Sequence, residues 1–192
     1  MLAWTPVVLL LLLTGCTTLT PAQQESVEAA QRFLDQTSKA YGVQRVTLML
    51  GSAGRGEAAT IRAGGLVTMG YEYLTYPDVR DTILAHEMAH LILGHLNRHA
   101  NSYDENQQRE IDADIEAVEI LQRVRGMTEP RAFSLVAAYA LALKKGVDSG
   151  SLAFRSGHPP PCRKVEALIK AYPRQQAMLD RLQGDPRLAR CP

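Results

Sequence analysis

The residues best suited to chemistry in this chain are the histidines and the glutamate of His86-Glu87-Met88-Ala89-His90. In a helix, residues four apart lie on one face, so both imidazoles can bind one metal ion. Glu87 then lies beside the coordination position that the protein leaves open. Zinc hydrolases combine two such ligands with a carboxylate that acts as general base on water. The spacing therefore predicts a zinc site with hydrolytic chemistry.

The segment around this motif is strongly apolar, with Ile83, Leu84, Leu91 and Ile92 flanking the polar residues. The alternative is a surface helix that carries two solvated histidines. That alternative fits poorly, because polar side chains in a buried helix need partners. We therefore expect a core helix whose polar residues share a ligand.

A zinc site needs a third protein ligand, and the acidic segment 110–114 offers one, twenty residues after the second histidine. The third histidine that metzincins use is excluded, because Leu93 and Leu96 occupy the glycine and histidine positions of that pattern. Glu110 and Asp114 are four apart and share a helix face. We predict Glu110 as the ligand and Asp114 as the carboxylate that orients an imidazole. A solvated acidic helix face is the alternative.

These motifs together resemble the HtpX and CAAX prenyl endopeptidase family of gluzincin zinc metallopeptidases, over about residues 64–171. A glycine-flanked apolar segment, 64–70, precedes the metal helix, and Gly94-His95 follows it, as in that family. His158-Pro159 followed by Arg163-Lys164-Val165 is also similar to the family's His-Pro pair and basic residue.

The resemblance implies an α+β, mostly helical, zincin-like fold with a small three-stranded sheet packed on the metal helix. It implies one Zn²⁺ per chain, peptide-bond hydrolysis, and Glu87 as the proton carrier. His158, or Arg163 near it, would donate to the oxyanion of the intermediate. Lys164 competes with Arg163 for the basic position. The alternative for His158 is a loop residue that packs on prolines.

The first residues predict a bacterial lipoprotein. The apolar run 7–13 is too short to span a bilayer comfortably, and Leu13-Thr14-Gly15-Cys16 is similar to a lipobox that directs lipid to Cys16. No Asp follows Cys16, which favours the outer membrane, facing the periplasm. An ordinary signal peptide and a weak membrane anchor are the alternatives. The expected organisation is a signal peptide over 1–15, a lipidated tether over 16–22 and one metallopeptidase domain over 23–192.

Composition narrows the possible functions. The chain has 21 Lys and Arg against 20 Asp and Glu, which argues against a nucleic-acid partner, since that would need a basic face. Five scattered histidines argue against zinc storage, which favours His or Cys runs. An oxidising periplasm would permit a disulfide between Cys162 and Cys191. Zinc ligation by these two thiols is the competing interpretation.

Periodicity and turn residues place these motifs on elements. The strand at 66–69 is predicted to offer a sheet edge to an extended peptide. His95 and His99 are predicted to point away from the metal face, into solvent. The expected helices are 23–40, 77 to about 99, 107–125, 129–145, 162–172 and 173–182, and the expected strands are 44–50, 58–62 and 66–69.

The sequence as a whole predicts a zinc-dependent endopeptidase, held by lipid in the bacterial envelope. By resemblance, its substrates would be unfolded, misfolded or misassembled envelope proteins. The alternative is a zinc-containing, chaperone-like lipoprotein that binds such proteins without cutting them. Glu87 favours the enzyme, because a pure binding protein has no chemical need for a carboxylate at that position.

Overall fold

Seven α-helices and one small mixed sheet form the described part of the chain in a computed structural model that covers residues 19–51, 58–97, 100–142, 158–188 and 191. The α+β, mostly helical class predicted from the sequence is confirmed. The helices are α1 (Pro21–Tyr41), α2 (Tyr71–Leu74), α3 (Pro77–Ile92), α4 (Tyr103–Arg125), α5 (Glu129–Ala142), α6 (Pro161–Ala171) and α7 (Gln176–Gln183), with 3-10 turns at His95–Asn97 and Pro173–Gln175.

The sheet contains β1 (Thr47–Leu50), β2 (Ala59–Arg62) and β3 (Leu66–Met69), in the spatial order β1-β3-β2. β1 runs parallel to β3, and β2 runs antiparallel to it. The prediction that residues 66–69 offer a sheet edge is therefore wrong, because β3 is paired on both sides. Strand order depends on which neighbours pack together, and strand patterning alone does not specify it.

The two outer strands differ in what covers them. The Gln31 side chain of α1 donates to Val46 O at 2.8 Å and accepts from Leu48 N at 2.9 Å, so α1 closes the outer edge of β1. β2 lies on the other side of the sheet, next to α3. Within the described sheet, β2 is therefore the second outer strand, and its first residue, Ala59, is buried whereas its last, Arg62, is exposed.

Helix α3, which carries the metal motif, lies in the middle of the fold and packs against α1, α4, α5 and β2. It begins with Pro77 at a position where the missing N–H costs nothing. Its side chains from Arg80 to His86 are buried all round, as expected for a helix inside a core. A buried network supports α3 against α4: Asp81 accepts from Arg80 Nε at 2.9 Å and from Arg125 Nε at 2.7 Å.

Both long helices of the metal motif end at glycines in the left-handed region. Gly94, with φ of 72°, follows the end of α3, and Gly126, with φ of 64°, ends α4. The prediction that α3 continues to about His99 is wrong, because the chain reverses at Gly94 and enters a 3-10 turn. Helix α4 begins at Tyr103, four residues before its predicted start, and the Ser102 side chain caps it by accepting from Glu105 N at 3.1 Å.

The C-terminal helices are tied together covalently. Cys162, in the first turn of α6, forms a disulfide with Cys191, and their Cα atoms are 5.2 Å apart. By the chain-entropy model, closing a loop of this length stabilises the fold by roughly 3–4 kcal/mol. The disulfide therefore anchors the start of α6, which carries Lys164 and begins three residues after His158.

Several predictions fall outside the described residues: the signal peptide, the lipidation of Cys16, His99, and the whole segment 143–157 between α5 and His158. Helix α1 begins at Pro21, two residues before its predicted start, with a capping box formed by Thr20 and Gln23. Among the described helices, none combines the length and the apolar character needed to cross a membrane.

Candidate metal centre

His86, His90 and Glu110 come together as a group that could hold a metal ion. The two Nε2 atoms lie 3.2 Å apart, and the Glu110 carboxylate lies 3.5 Å from His86 Nε2 and 3.4 Å from His90 Nε2. Ligands about 2.0–2.1 Å from a tetrahedral zinc ion are roughly 3.3 Å from one another. The three side chains therefore form a triangle of the size that one face of such a site requires.

The carboxylate oxygens of Glu110 give a further test of whether these residues fit a cation. Glu110 Oε2 is buried and lies 2.5 Å from His158 Nδ1, yet neither atom makes a hydrogen bond of suitable geometry within the described residues. Burial alone would raise the pKa of Glu110, but the imidazoles of His158, His86 and His90 hold it well below its usual range. A buried, charged carboxylate surrounded by imidazole nitrogens that do not satisfy it with well-aligned hydrogen bonds fits a metal ligand.

His86 is held from behind by a buried charge pair. Its Nδ1 lies 2.8 Å from Asp114 Oδ1, and Asp114 Oδ2 pairs with Lys164 Nζ at 2.9 Å. Asp114 and Lys164 are 1% and 2% exposed. Burial alone would raise the pKa of Asp114, but Lys164 and His86 lower it, so the carboxylate stays charged. Nε2 of His86 is thereby left facing the shared point between the ligands.

His90 has a different partner, and this corrects a prediction. His90 Nδ1 lies 3.1 Å from His95 Nδ1, and the two rings meet at an interplanar angle of 64°. His95 was predicted to point into solvent, but it is partly buried against a predicted ligand. Burial, and then the neighbouring His90, lower the pKa of His95 to about 4.

Glu87 stands between the two histidines in sequence and is partly buried beside them. Burial raises the pKa of Glu87, and the nearby His86 and His90 oppose that rise. Within the described residues no hydrogen bond of Glu87 is recorded. A carboxyl group whose pKa is shifted upward, toward neutrality, suits proton transfer near pH 7.

Tyr139 of α5 also belongs to this site, and the sequence analysis missed it. Its ring packs edge-on against His86, with centroids 6.4 Å apart. Burial raises the pKa of Tyr139, and the charges of Glu87, Asp114 and Glu110 raise it further, so its hydroxyl stays protonated. One signal was available: Tyr139 interrupts the otherwise apolar run 135–143, three residues after Val136.

The two adjacent basic residues of α6, Arg163 and Lys164, contact different parts of α4. Lys164 reaches Asp114 in the interior, whereas Arg163 donates to Gln107, one turn before Glu110 on α4. Arg163 also lines an open groove between α4 and α6. Lys164 is thus the basic residue linked to the ligands, and a role of Arg163 at an oxyanion stays a prediction. The structure does bring His158 to the ligand group.

Comparison with known proteins adds no assignment to this geometry. The chain matches no family model, no curated protein and no solved structure.

Proposed function

We propose that this protein is a zinc-dependent endopeptidase with a zincin-like fold, resembling the HtpX and CAAX prenyl endopeptidase family. The observation that carries the proposal is the position of Glu87, a carboxylate adjacent to a His86-His90-Glu110 ligand triangle. Two histidines and one glutamate are the ligands of one type of catalytic zinc site that keeps an open position. A structural zinc site would instead have four protein ligands, and it would have no use for a neighbouring base.

Each residue around the ligand triangle would have a different role in hydrolysis. Zinc bound there would supply a Lewis acid and lower the pKa of water. Glu87 accepts a proton from the attacking water and passes it to the leaving amine. His158 and the Tyr139 hydroxyl are the donors available to the oxyanion that develops on the scissile carbonyl. Asp114 keeps the His86 ring oriented.

The outer edge of β2 is where this proposal has an extended peptide bind. Gly70 N donates to Ala58 O at 3.2 Å, so Ala58 and Gly70 form a hydrogen-bonded pair. Such pairs alternate along an antiparallel ladder, which turns the backbone groups of Ala59 and Ile61 away from β3. A substrate strand would bond to these groups next to α3. Backbone pairing tolerates many sequences, as turnover of damaged envelope proteins requires.

The proposed location follows from the sequence of the N-terminus. Lipid on Cys16 would hold the domain at the envelope membrane, with unfolded or misassembled envelope proteins as substrates and no nucleic-acid partner. We place it at the outer membrane, facing the periplasm, because no Asp follows Cys16.

The test compares wild type with Glu87→Gln, which preserves shape and removes the base. Glu87→Gln should retain zinc, measured by mass spectrometry, and lose about 10²–10⁴-fold in kcat. The readout is the appearance of new peptide termini in unfolded envelope proteins. Glu25→Gln, an exposed change on α1, is the matched control and should match wild type.

Two other results have clear meanings. Cleavage by Glu87→Gln at the wild-type rate would remove Glu87 from the mechanism. If wild type binds zinc and unfolded proteins but produces no new termini, the non-proteolytic binding lipoprotein is the correct function.

A further inference from the structure

The two histidine ligands have different partners behind them. Each directs Nε2 toward the position where the three ligands would bind the ion, which leaves Nδ1 for a second contact. His86 Nδ1 faces the charged Asp114 at 2.8 Å, whereas His90 Nδ1 faces the imidazole of His95 at 3.1 Å. Histidines that bind metals through one nitrogen almost always donate the other N–H to an acceptor.

The local fold places His95 behind His90. A continuous α-helix would turn His95 about 140° away from His90, at about 100° per residue. Gly94 instead takes a left-handed conformation, and the following 3-10 turn brings residue 95 back over α3. Arg109 Nη1 donates to the His95 carbonyl at 3.1 Å. Because Arg109 directly precedes Glu110, this bond ties the turn to the helix that carries the third ligand.

The positions of the ring hydrogens decide which of the two histidines donates the hydrogen bond. Two Nδ1 atoms 3.1 Å apart can bond only if one of them carries a hydrogen. His90 binding a cation through Nε2 is neutral, and its hydrogen is on Nδ1. His90 is then the donor, and His95 accepts through the lone pair of its Nδ1. The hydrogen of the neutral His95 ring is on Nε2.

We propose that His95 is a positioning residue of the metal centre, as Asp114 is for His86: a neutral imidazole that accepts the Nδ1 hydrogen of His90 and fixes that ligand's tautomer and ring orientation. The inference rests on the proposed metal site but does not require proteolysis. His95 is a neutral acceptor, so it polarises the His90 ring less than the Asp114 carboxylate polarises the His86 ring. Because His95 orients His90, loss of the His95 contact should weaken metal binding without removing a ligand.

The experiment uses two substitutions of equal shape that differ in one acceptor. The Oδ1 atom of His95→Asn can take the place of Nδ1, whereas His95→Leu fills the same space without a lone pair. Zinc affinity is measured by competition with a chelator on the full-length protein. His95→Leu should lose roughly 10- to 100-fold in zinc affinity, and His95→Asn should stay within about threefold of wild type. Asn97→Ala, exposed on the same turn, is the control.

Nuclear magnetic resonance of the imidazoles in the zinc-loaded protein supplies a second readout. A slowly exchanging Nδ1 hydrogen on His90 should be present in wild type and His95→Asn and absent in His95→Leu. Equal zinc affinity for the Asn and Leu variants would overturn the inference, as would zinc bound through Nδ1 of His90. If wild type binds no zinc, the proposed function fails instead, so the two failures are distinguishable.

Discussion

The Asp114 carboxylate behind His86 should contribute both to the unfolding free energy of the fold and to its zinc affinity, and substitutions can measure the two contributions separately. Asp114 pairs with Lys164 at 2.9 Å and bonds His86 at 2.8 Å, and both members of the pair are almost fully buried. Asp114→Leu leaves Lys164 as an uncompensated charge in the interior. Breaking a buried pair in this way costs about 3–5 kcal/mol of unfolding free energy. For a domain of this size that corresponds to a melting temperature lower by roughly 6–20 °C.

The double variant Asp114→Leu with Lys164→Met gives the decisive comparison. It removes both charges, so stability should return to within about 1–2 kcal/mol of wild type. The acceptor of His86 Nδ1 is still missing, so zinc affinity should stay 10- to 100-fold below wild type in both variants. Stability is measured by urea unfolding with a chelator present, and affinity by zinc competition.

Asp104→Asn, an exposed acidic change in the first turn of the same helix, is the control and should shift stability by less than about 1 kcal/mol. Recovery of zinc affinity together with stability in the double variant would show that Asp114 acts only through the fold. An unchanged melting temperature in Asp114→Leu would show that the buried pair is not formed.

Three further predictions concern protons, chemistry and substrate. Burial alone would lower the pKa of His86, but contacts with Asp114 and Glu110 raise it from 6.5 to about 10 in the metal-free protein. Its charged form therefore stabilises the metal-free fold fully below about pH 6.5, and urea unfolding should show this stabilisation declining toward pH 10. Zinc must displace that proton, so zinc affinity should rise over the same interval, by up to about tenfold per pH unit; a flat profile would contradict the shift. Tyr139→Phe should lower kcat roughly 100-fold or more with zinc content unchanged, whereas an unaltered kcat would remove its hydroxyl from the transition state. Ile61→Pro deletes an N–H that points away from the sheet, so KM for extended peptides should rise about 2- to 10-fold relative to Ile61→Ala, which keeps it; equal KM values would place the substrate elsewhere.

The metal motif was predictable because its geometry is local. His86 and His90 are one helical turn apart whatever surrounds them, and the same holds for Glu110 and Asp114. The two pairs could be placed on helices from spacing and apolar context alone. Their approach across two helices required packing, which the buried Asp81 network between α3 and α4 supports.

The predicted side-chain positions were wrong or undecided where a single residue, or a partner distant in sequence, determines where the side chain lies. His95 was expected in solvent because α3 was extended past Gly94, whose left-handed conformation turns the chain back. The sequence does not decide whether Arg163 or Lys164 is the basic residue near His158. Adjacent residues on a helix differ by about 100° in direction, and only the packing of α6 on α4 selects which one is buried.

The amino-acid sequence by itself determined the fold class, the helices that carry the ligands, and the chemistry of the side chains, because helical period and residue type are properties of neighbouring positions. The tertiary structure alone decided that β3 is central, that Lys164 pairs with Asp114, and that Tyr139 packs on His86. These arrangements join residues far apart in the chain. Their free energy comes from burying apolar surface and pairing charges in one particular packing, which no local pattern specifies.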